Sequence, residues 1–91
     1  MVFSKSYCPY CQSAKKLLDG LNAKYGAYEL NEHDDGRDMQ DALFDLTGQR
    51  TVPNIFIGGD HIGGNSDLVT LSNKGKGGKK IQDLLREAGA L

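Results

Sequence analysis

Two cysteines stand two residues apart at Cys8-Pro9-Tyr10-Cys11, and the chain has no others. Thiols at this spacing, just ahead of a helix-like run, can close into a disulfide and open again, which is redox chemistry. If the helix starts near Cys8, the pair occupies i and i+3, about one turn apart on one face. Their surroundings then differ. Cys8 lies where unpaired backbone N–H groups and the positive end of the helix dipole favour a thiolate, whereas Cys11 is already inside the first turn. Cys8 is therefore the nucleophile and Cys11 the resolving thiol. Lys5, three residues upstream, adds a second positive influence on the sulfur. Pro9 presets a helical φ and lacks an N–H that the first turn could not have paired.

Other uses of the pair fit less well. A zinc site needs two further ligands, and the remaining soft donors, His33 and His61, are isolated in the sequence. A static structural disulfide across so short a loop restricts the unfolded chain little. Inert core cysteines would sit among apolar neighbours, but Ser4, Lys5, Ser6, Tyr7 and Gln12 are mostly polar.

The 91 residues suffice for one domain, residues 1–91, with a small core. A formal net charge of −1 gives no bulk attraction for nucleic acid or an anionic membrane, so binding must come from a local site. No apolar run reaches bilayer length, and Met1-Val2-Phe3-Ser4-Lys5 reads as neither signal nor transit peptide. Two cysteines in a C-x-x-C arrangement with none elsewhere point to catalysis in a reducing compartment, the cytoplasm, rather than to a secreted disulfide framework.

The elements that must hold the cysteines follow from periodicity. Val2-Phe3-Ser4 reads as the end of a buried strand feeding into the cysteine loop. Ala14, Leu17, Leu18 and Leu21 recur at helical spacing, predicting a helix from Cys8 or Pro9 to near Asn22. Ala27-Tyr28-Glu29-Leu30 alternates as a half-buried strand, and His33-Asp34-Asp35-Gly36 is a turn with candidate N-caps. Met39, Ala42, Leu43 and Leu46 stripe a second helix that Thr47-Gly48 ends. Asn54-Ile55-Phe56-Ile57, a turn at Gly58-Gly59-Asp60 and a return strand from His61-Ile62 make a hairpin. Gly63-Gly64 stops it, and Asn65-Ser66-Asp67 offers caps for a helix over Leu68 to Leu71. Gly75-Lys76-Gly77-Gly78 reads as a flexible break; it lacks the spacing and preceding strand of a phosphate loop. A last amphipathic helix carries Ile81, Leu84, Leu85 and Ala88. The order β, α, β, α, hairpin, helices specifies an α/β fold with a right-handed parallel crossover and an antiparallel edge hairpin. In such open sheets reactive groups lie beyond the carboxyl ends of parallel strands, where Cys8 falls.

A second constellation precedes the hairpin. In Thr51-Val52-Pro53 the proline starts a strand where one N–H need not pair. A cis Val52-Pro53 bond would turn the N–H and C=O of Val52 toward the cysteine loop for pairing with an extended peptide; a plain trans strand starter is the commoner alternative. Taken together, Phe3 to Cys11, Gly48 to Ile57 and Ile62 to Leu68 resemble a dithiol glutaredoxin of eukaryotic, fungal-like type, over essentially the whole chain.

The resemblance implies a thioredoxin fold with a mixed four-stranded sheet flanked by helices, a cis bond before Pro53, and a groove for glutathione as co-substrate. No tightly bound cofactor or metal is implied, and a monomer suffices. Carried over, Cys8 forms the mixed disulfide with glutathione and Cys11 resolves it, with Tyr10 bordering the groove. Lys5 and Gln40 hold the glycine carboxylate, helped by Arg50. Val52 pairs with the cysteinyl backbone, beside Thr51 and Pro53. Gly64 permits close approach, and Ser66 and Asp67 receive the γ-glutamyl end. That polarity suits a tripeptide needing cations at one end and both an N–H-rich helix start and an acid at the other. Taken singly, Lys5 could be a solvated charge, Gln40 a helix-face polar residue and Asp67 a complement to the helix dipole. The expected partners are glutathionylated proteins and protein disulfides. Such proteins usually carry a further N-terminal helix and a longer first strand, so the first strand is expected short here and that helix absent, with an organellar leader a further reading. An iron–sulfur-binding dimer is the alternative from another class, and Pro9 and Tyr10 argue against it because relatives of that kind usually carry a smaller residue at the Pro9 position.

Overall fold

The computed structural model describes residues 1–91. Strand β1 (Val2–Ser4) leads into α1 (Pro9–Gly20), then β2 (Ala27–Glu29), a short 3-10 turn (Leu30–Glu32), α2 (Gly36–Thr47), the hairpin β3 (Asn54–Ile57) and β4 (Asp60–Gly63), α3 (Asn65–Lys74) and α4 (Ile81–Glu87). The sheet order is β2-β1-β3-β4. β1 runs parallel to β2 and antiparallel to β3, and β3 antiparallel to β4. This is the mixed four-stranded sheet of a thioredoxin fold, with β1 inside it.

Apolar stripes explain the layering. Ala14 and Leu18 of α1 and Leu68 and Leu71 of α3 pack with Val2, Ile55 and Ile57 of the sheet and with Ile81 and Leu85 of α4, all of them buried. Each fully buried Leu or Ile contributes about 1.5–3 kcal/mol of transfer free energy. The ends of α1 are equally defined. Asn22 takes a left-handed φ of 58°, and the Ala23 N–H returns to the Leu18 carbonyl at 3.0 Å, closing the helix where the sequence placed its end.

Some expectations shift. Leu30 opens the 3-10 turn rather than ending β2, and Asp60 pairs with Ile57, leaving Gly58-Gly59 alone as the turn, both at positive φ. Asp35 stands at the N-cap of α2 but makes no capping bond, because its carboxylate accepts the Tyr28 hydroxyl at 2.6 Å. Of the α2 stripe only Leu43 is buried; Leu46 is 76% exposed. The expected break after α3 is an ordered tight turn, in which Lys76 and Lys79 exchange backbone bonds of 2.8 and 3.0 Å around Gly77-Gly78.

The entry to α2 depends on a glycine for space rather than for φ. A Cβ on Gly36 would lie 1.8 Å from the Leu30 carbonyl oxygen, so the 3-10 turn and α2 approach closely only without one. Gly36→Ala is expected to cost about 2 kcal/mol or more in urea unfolding. Gly20→Ala meets nothing within 4 Å and should be neutral or stabilising by up to about 1 kcal/mol. Equal midpoints for Gly36→Ala and the parent chain would show that the backbone there gives way freely.

Candidate active site

Cys8 is the N-cap of α1, with extended φ and ψ of −87° and 117° and Pro9 at the first helical position. Its Sγ accepts the backbone N–H of Cys11 at 3.2 Å, so sulfur rather than an oxygen satisfies one of the free first-turn donors. No acidic residue lies in that turn to compete. The loop is closed from behind by the Cys8 N–H, which donates to the Lys5 carbonyl at 3.0 Å.

Both thiols are free, Cys8 half-buried and Cys11 fully buried. Burial pushes the Cys11 thiol up from 9.0 to about 12, helped by its hydrogen bond to Cys8 and by the Cys8 charge. The Lys5 backbone and the Lys15 charge pull the other way without reversing it. Cys11 therefore stays protonated through the neutral range. The reactive and waiting roles assigned from spacing correspond to one accessible sulfur and one enclosed sulfur.

Val52-Pro53 is cis. The Cys8 thiol faces the Val52 carbonyl at 3.8 Å, and the Val52 N–H has no partner within the chain. Gln49 holds this loop by donating from Nε2 to the carbonyls of Thr51 (3.0 Å) and Pro53 (2.9 Å). Beside it opens a cleft of about 450 Å³ lined by Tyr10, Thr51, Val52, Pro53, Gly64, Asn65 and Ser66. Asn65, read from the sequence as a cap, is a wall of this cleft, and its Oδ1 is buried without a hydrogen-bond partner.

The structure thus gathers Tyr10, Thr51, Val52, Pro53, Gly64 and Ser66 of the residues singled out from sequence. Lys5, Gln40, Arg50 and Asp67 do not line the cleft. Lys5 meets the cysteine loop through its carbonyl, which accepts the Cys8 N–H, and its ammonium makes no ion pair. Gln40 donates to the Arg50 carbonyl at 2.6 Å. Arg50 is turned onto α2, bonded to Asp41 at 2.9 Å and lying over the Phe44 ring at 4.4 Å. Asp67 accepts the Gly64 N–H at 2.9 Å, the reciprocal half of a capping box. Gly63, not Gly64, is the glycine that its neighbours demand: it has a φ of 120°, and a Cβ there would meet the Asp67 carboxylate at 2.3 Å. A Cβ on Gly64 would find only ordinary contacts. Neither histidine stands near a thiol ligand set, since His61 bonds Asn54 at 2.8 Å and His33 stacks on Tyr28.

Sequence reasoning missed Gln49 and Asn54. Asn54 is buried and joins His61 to Thr47. The signal for Gln49 was its place two residues before Thr51, within reach of the loop carbonyls.

A capping thiol, a buried partner one turn later and a free backbone edge opposite them define a thiol-disulfide oxidoreductase. The glutaredoxin family model matches residues 1–62, and the chain belongs to the glutaredoxin family. It is 54% identical over 91 residues to a glutaredoxin of Ricinus communis, covering 100% of this chain and 85% of the relative. Against Glutaredoxin-C2 of Arabidopsis thaliana the identity is 54% over 91 residues, covering 100% and 78%. Among solved structures, the buckwheat glutaredoxin–glutathione complex superposes with a TM-score of 0.92 at 49% identity, covering 99% of this chain and 78% of that one.

Iodoacetamide at neutral pH is expected to add one group to the reduced native protein, on Cys8. Cys11 should react only after denaturation or as pH approaches its value of about 12. Mass spectra taken before and after guanidinium check this, and two adducts on the native protein at neutral pH would contradict the enclosure of Cys11.

Proposed function

We propose that the chain is a glutathione-dependent oxidoreductase that reduces protein–glutathione mixed disulfides through Cys8 alone and protein disulfides through Cys8 and Cys11. The observation that carries this is Val52, whose N–H is unpartnered and whose carbonyl faces the Cys8 sulfur at 3.8 Å. An extended thiol peptide can pair with that edge while its sulfur meets Cys8. The buckwheat relative in complex with glutathione supports the choice of peptide.

In the monothiol route the Cys8 thiolate attacks the glutathione sulfur of the mixed disulfide. The old S–S bond breaks, and the protein thiolate leaves and takes up a proton. A second glutathione then attacks the Cys8 adduct and leaves as oxidised glutathione, so glutathione supplies the electrons. In the dithiol route Cys8 attacks a protein disulfide and Cys11 resolves the adduct. Around the tripeptide, Tyr10, Thr51, Val52, Pro53, Gly64 and Ser66 form the groove, and Lys5 offers an unpaired cation to the glycine carboxylate. Gln40 and Arg50 reach that carboxylate only by leaving the partners they now hold. Asp67 meets the γ-glutamyl ammonium with the oxygen not used by Gly64. The protein acts as a monomer in the cytoplasm with no tightly bound cofactor.

Cys8→Ser should abolish both activities, and Cys11→Ser should keep deglutathionylation while losing most protein-disulfide reduction. Parallel assays on a glutathionylated peptide and a protein disulfide test this; an active Cys8→Ser enzyme would remove the nucleophile assignment.

Asp67 separates capping from recognition. If it only complements the helix start, Asp67→Asn costs about 0.3 to 1 kcal/mol of stability and spares catalysis. If it also binds the ammonium, use of glutathione mixed disulfides weakens by about 1.5 to 3 kcal/mol. A small disulfide lacking glutathione is then hardly affected. We expect the second pattern, and equal losses on both substrates would refute the contact.

A further inference from the structure

The resolving step demands something that the cleft does not supply. For Cys11 to attack, its proton must leave and negative charge must appear on a sulfur with no solvent exposure. In the adduct the Cys8 sulfur is bonded to the substrate and carries no charge, so burial, the largest cause of the raised Cys11 value, is what still opposes that ionisation.

One cation bears on this sulfur from within the fold. Lys15 lies one turn beyond Cys11 on α1, so the two share a helix face. Its ammonium is not loose: Nζ bonds Glu29 of β2, and the same carboxylate accepts the hydroxyl of Ser4 at the end of β1. Ser4 is fully buried, and the Lys15 and Glu29 side chains are only 23% and 16% exposed. Burial opposes ionisation of Glu29, but the bonds from Lys15 and Ser4 and the Lys15 charge outweigh it and hold the carboxyl below its ordinary value. The pin is thus ionised at neutral pH. Apart from Cys8, Lys15 is the one charged side chain that bears on this sulfur, and the Lys5 backbone adds a hydrogen bond.

We propose that Lys15, held in place by Glu29 and Ser4, is the positioning residue that lets Cys11 ionise in the resolving step, and so sets the efficiency of the dithiol route without touching the monothiol route. Cys11 loses its proton to solvent, and its thiolate attacks the Cys8 sulfur of the Cys8–substrate adduct. The Cys8–Cys11 bond forms, the Cys8–substrate bond breaks, and the departing thiolate takes up a proton. The two cysteines are oxidised by two electrons as the substrate sulfur is reduced. The inference rests on Cys11 being the resolving thiol, as proposed above.

The test isolates that step. Protein glutathionylated at Cys8 is prepared at low pH and jumped to a series of higher pH values, and release of glutathione is followed. Lys15→Met is expected to slow release about three- to tenfold at neutral pH and to move its pH profile upward by about half to one unit. Lys15→Arg should behave like the parent, and Lys15→Gln serves if the Met variant folds poorly. Lys15→Met combined with Glu29→Gln must stay slow; recovery would assign the loss to an unpaired Glu29 carboxylate and overturn the proposal. In a Cys11→Ser background, Lys15→Met should leave turnover of a glutathionylated peptide unchanged, and a loss there would place Lys15 at Cys8 instead. An unchanged release rate in Lys15→Met refutes the role of Lys15 alone. Parent protein that fails to release glutathione while still reducing protein disulfides refutes the dithiol reading itself.

Discussion

The hydrogen bond from the Cys11 N–H to the Cys8 sulfur is the contact on which the site is organised. It fixes where α1 begins, and therefore which cysteine caps the helix and which is enclosed by it. A helix start has free donors that must find an acceptor, and with no carboxylate in the first turn the sulfur takes that place. A sulfur bearing negative charge is the better acceptor, so the helix and the nucleophile favour one another. β1 makes this placement firm. Although only three residues long, it is paired on both sides, by β2 and by β3, and it delivers the chain to the cysteine loop beyond its carboxyl end.

One turn of helix thus separates two sulfurs with opposite tasks. Cys8 must be reachable by a peptide disulfide and Cys11 must not be, or it would compete for the same substrates. Burial achieves the second requirement at a cost in ionisation, which is visible in a Cys11 value near 12. A chain that needed only the monothiol route could leave that cost standing. One that also closes a Cys8–Cys11 disulfide needs a nearby cation, and a pinned lysine provides it with less loss of side-chain entropy at the moment of reaction than a free one.

What the sequence made legible was mostly local. The C-x-x-C spacing, the Pro9 helix start, the apolar stripe from Ala14 to Leu21 and the hairpin around Gly58-Gly59 each lie within a few residues, where periodicity and turn chemistry act. The Thr51-Val52-Pro53 loop was legible through likeness of motif more than through physics. What escaped depends on long separations or on space. The Ser4–Glu29 contact spans 25 residues and Lys15–Glu29 spans 14, and neither leaves a pattern in one sequence. Gly36 looks like a turn residue until the Leu30 carbonyl is found against it. Arg50 is a different case: its motif position favours the groove, and without a ligand its side chain rests on Asp41 and Phe44 of the neighbouring helix. That exposed ion pair is worth at most about 1 kcal/mol, so little holds the side chain there against a stronger anion.

Recognition in the cleft is weighted toward backbone and small polar groups. Gln49 occupies the carbonyls of Thr51 and Pro53, and Asp67 occupies the Gly64 N–H, so these loops are braced by their own side chains before any ligand arrives. Among the groups left without partners are the Val52 N–H and the Asn65 Oδ1 in the cleft and the Lys5 ammonium outside it. Such a set reads the main chain and terminal charges of a short extended peptide and is indifferent to what is attached beyond its sulfur. Because the loops are already held, binding orders few side chains and more of the contact energy remains for affinity. Discrimination between substrates must then arise at the sulfurs. A glutathionyl sulfur seated against Val52 is handled by Cys8 alone, whereas a protein disulfide that lacks the tripeptide depends on how readily Cys11 can follow.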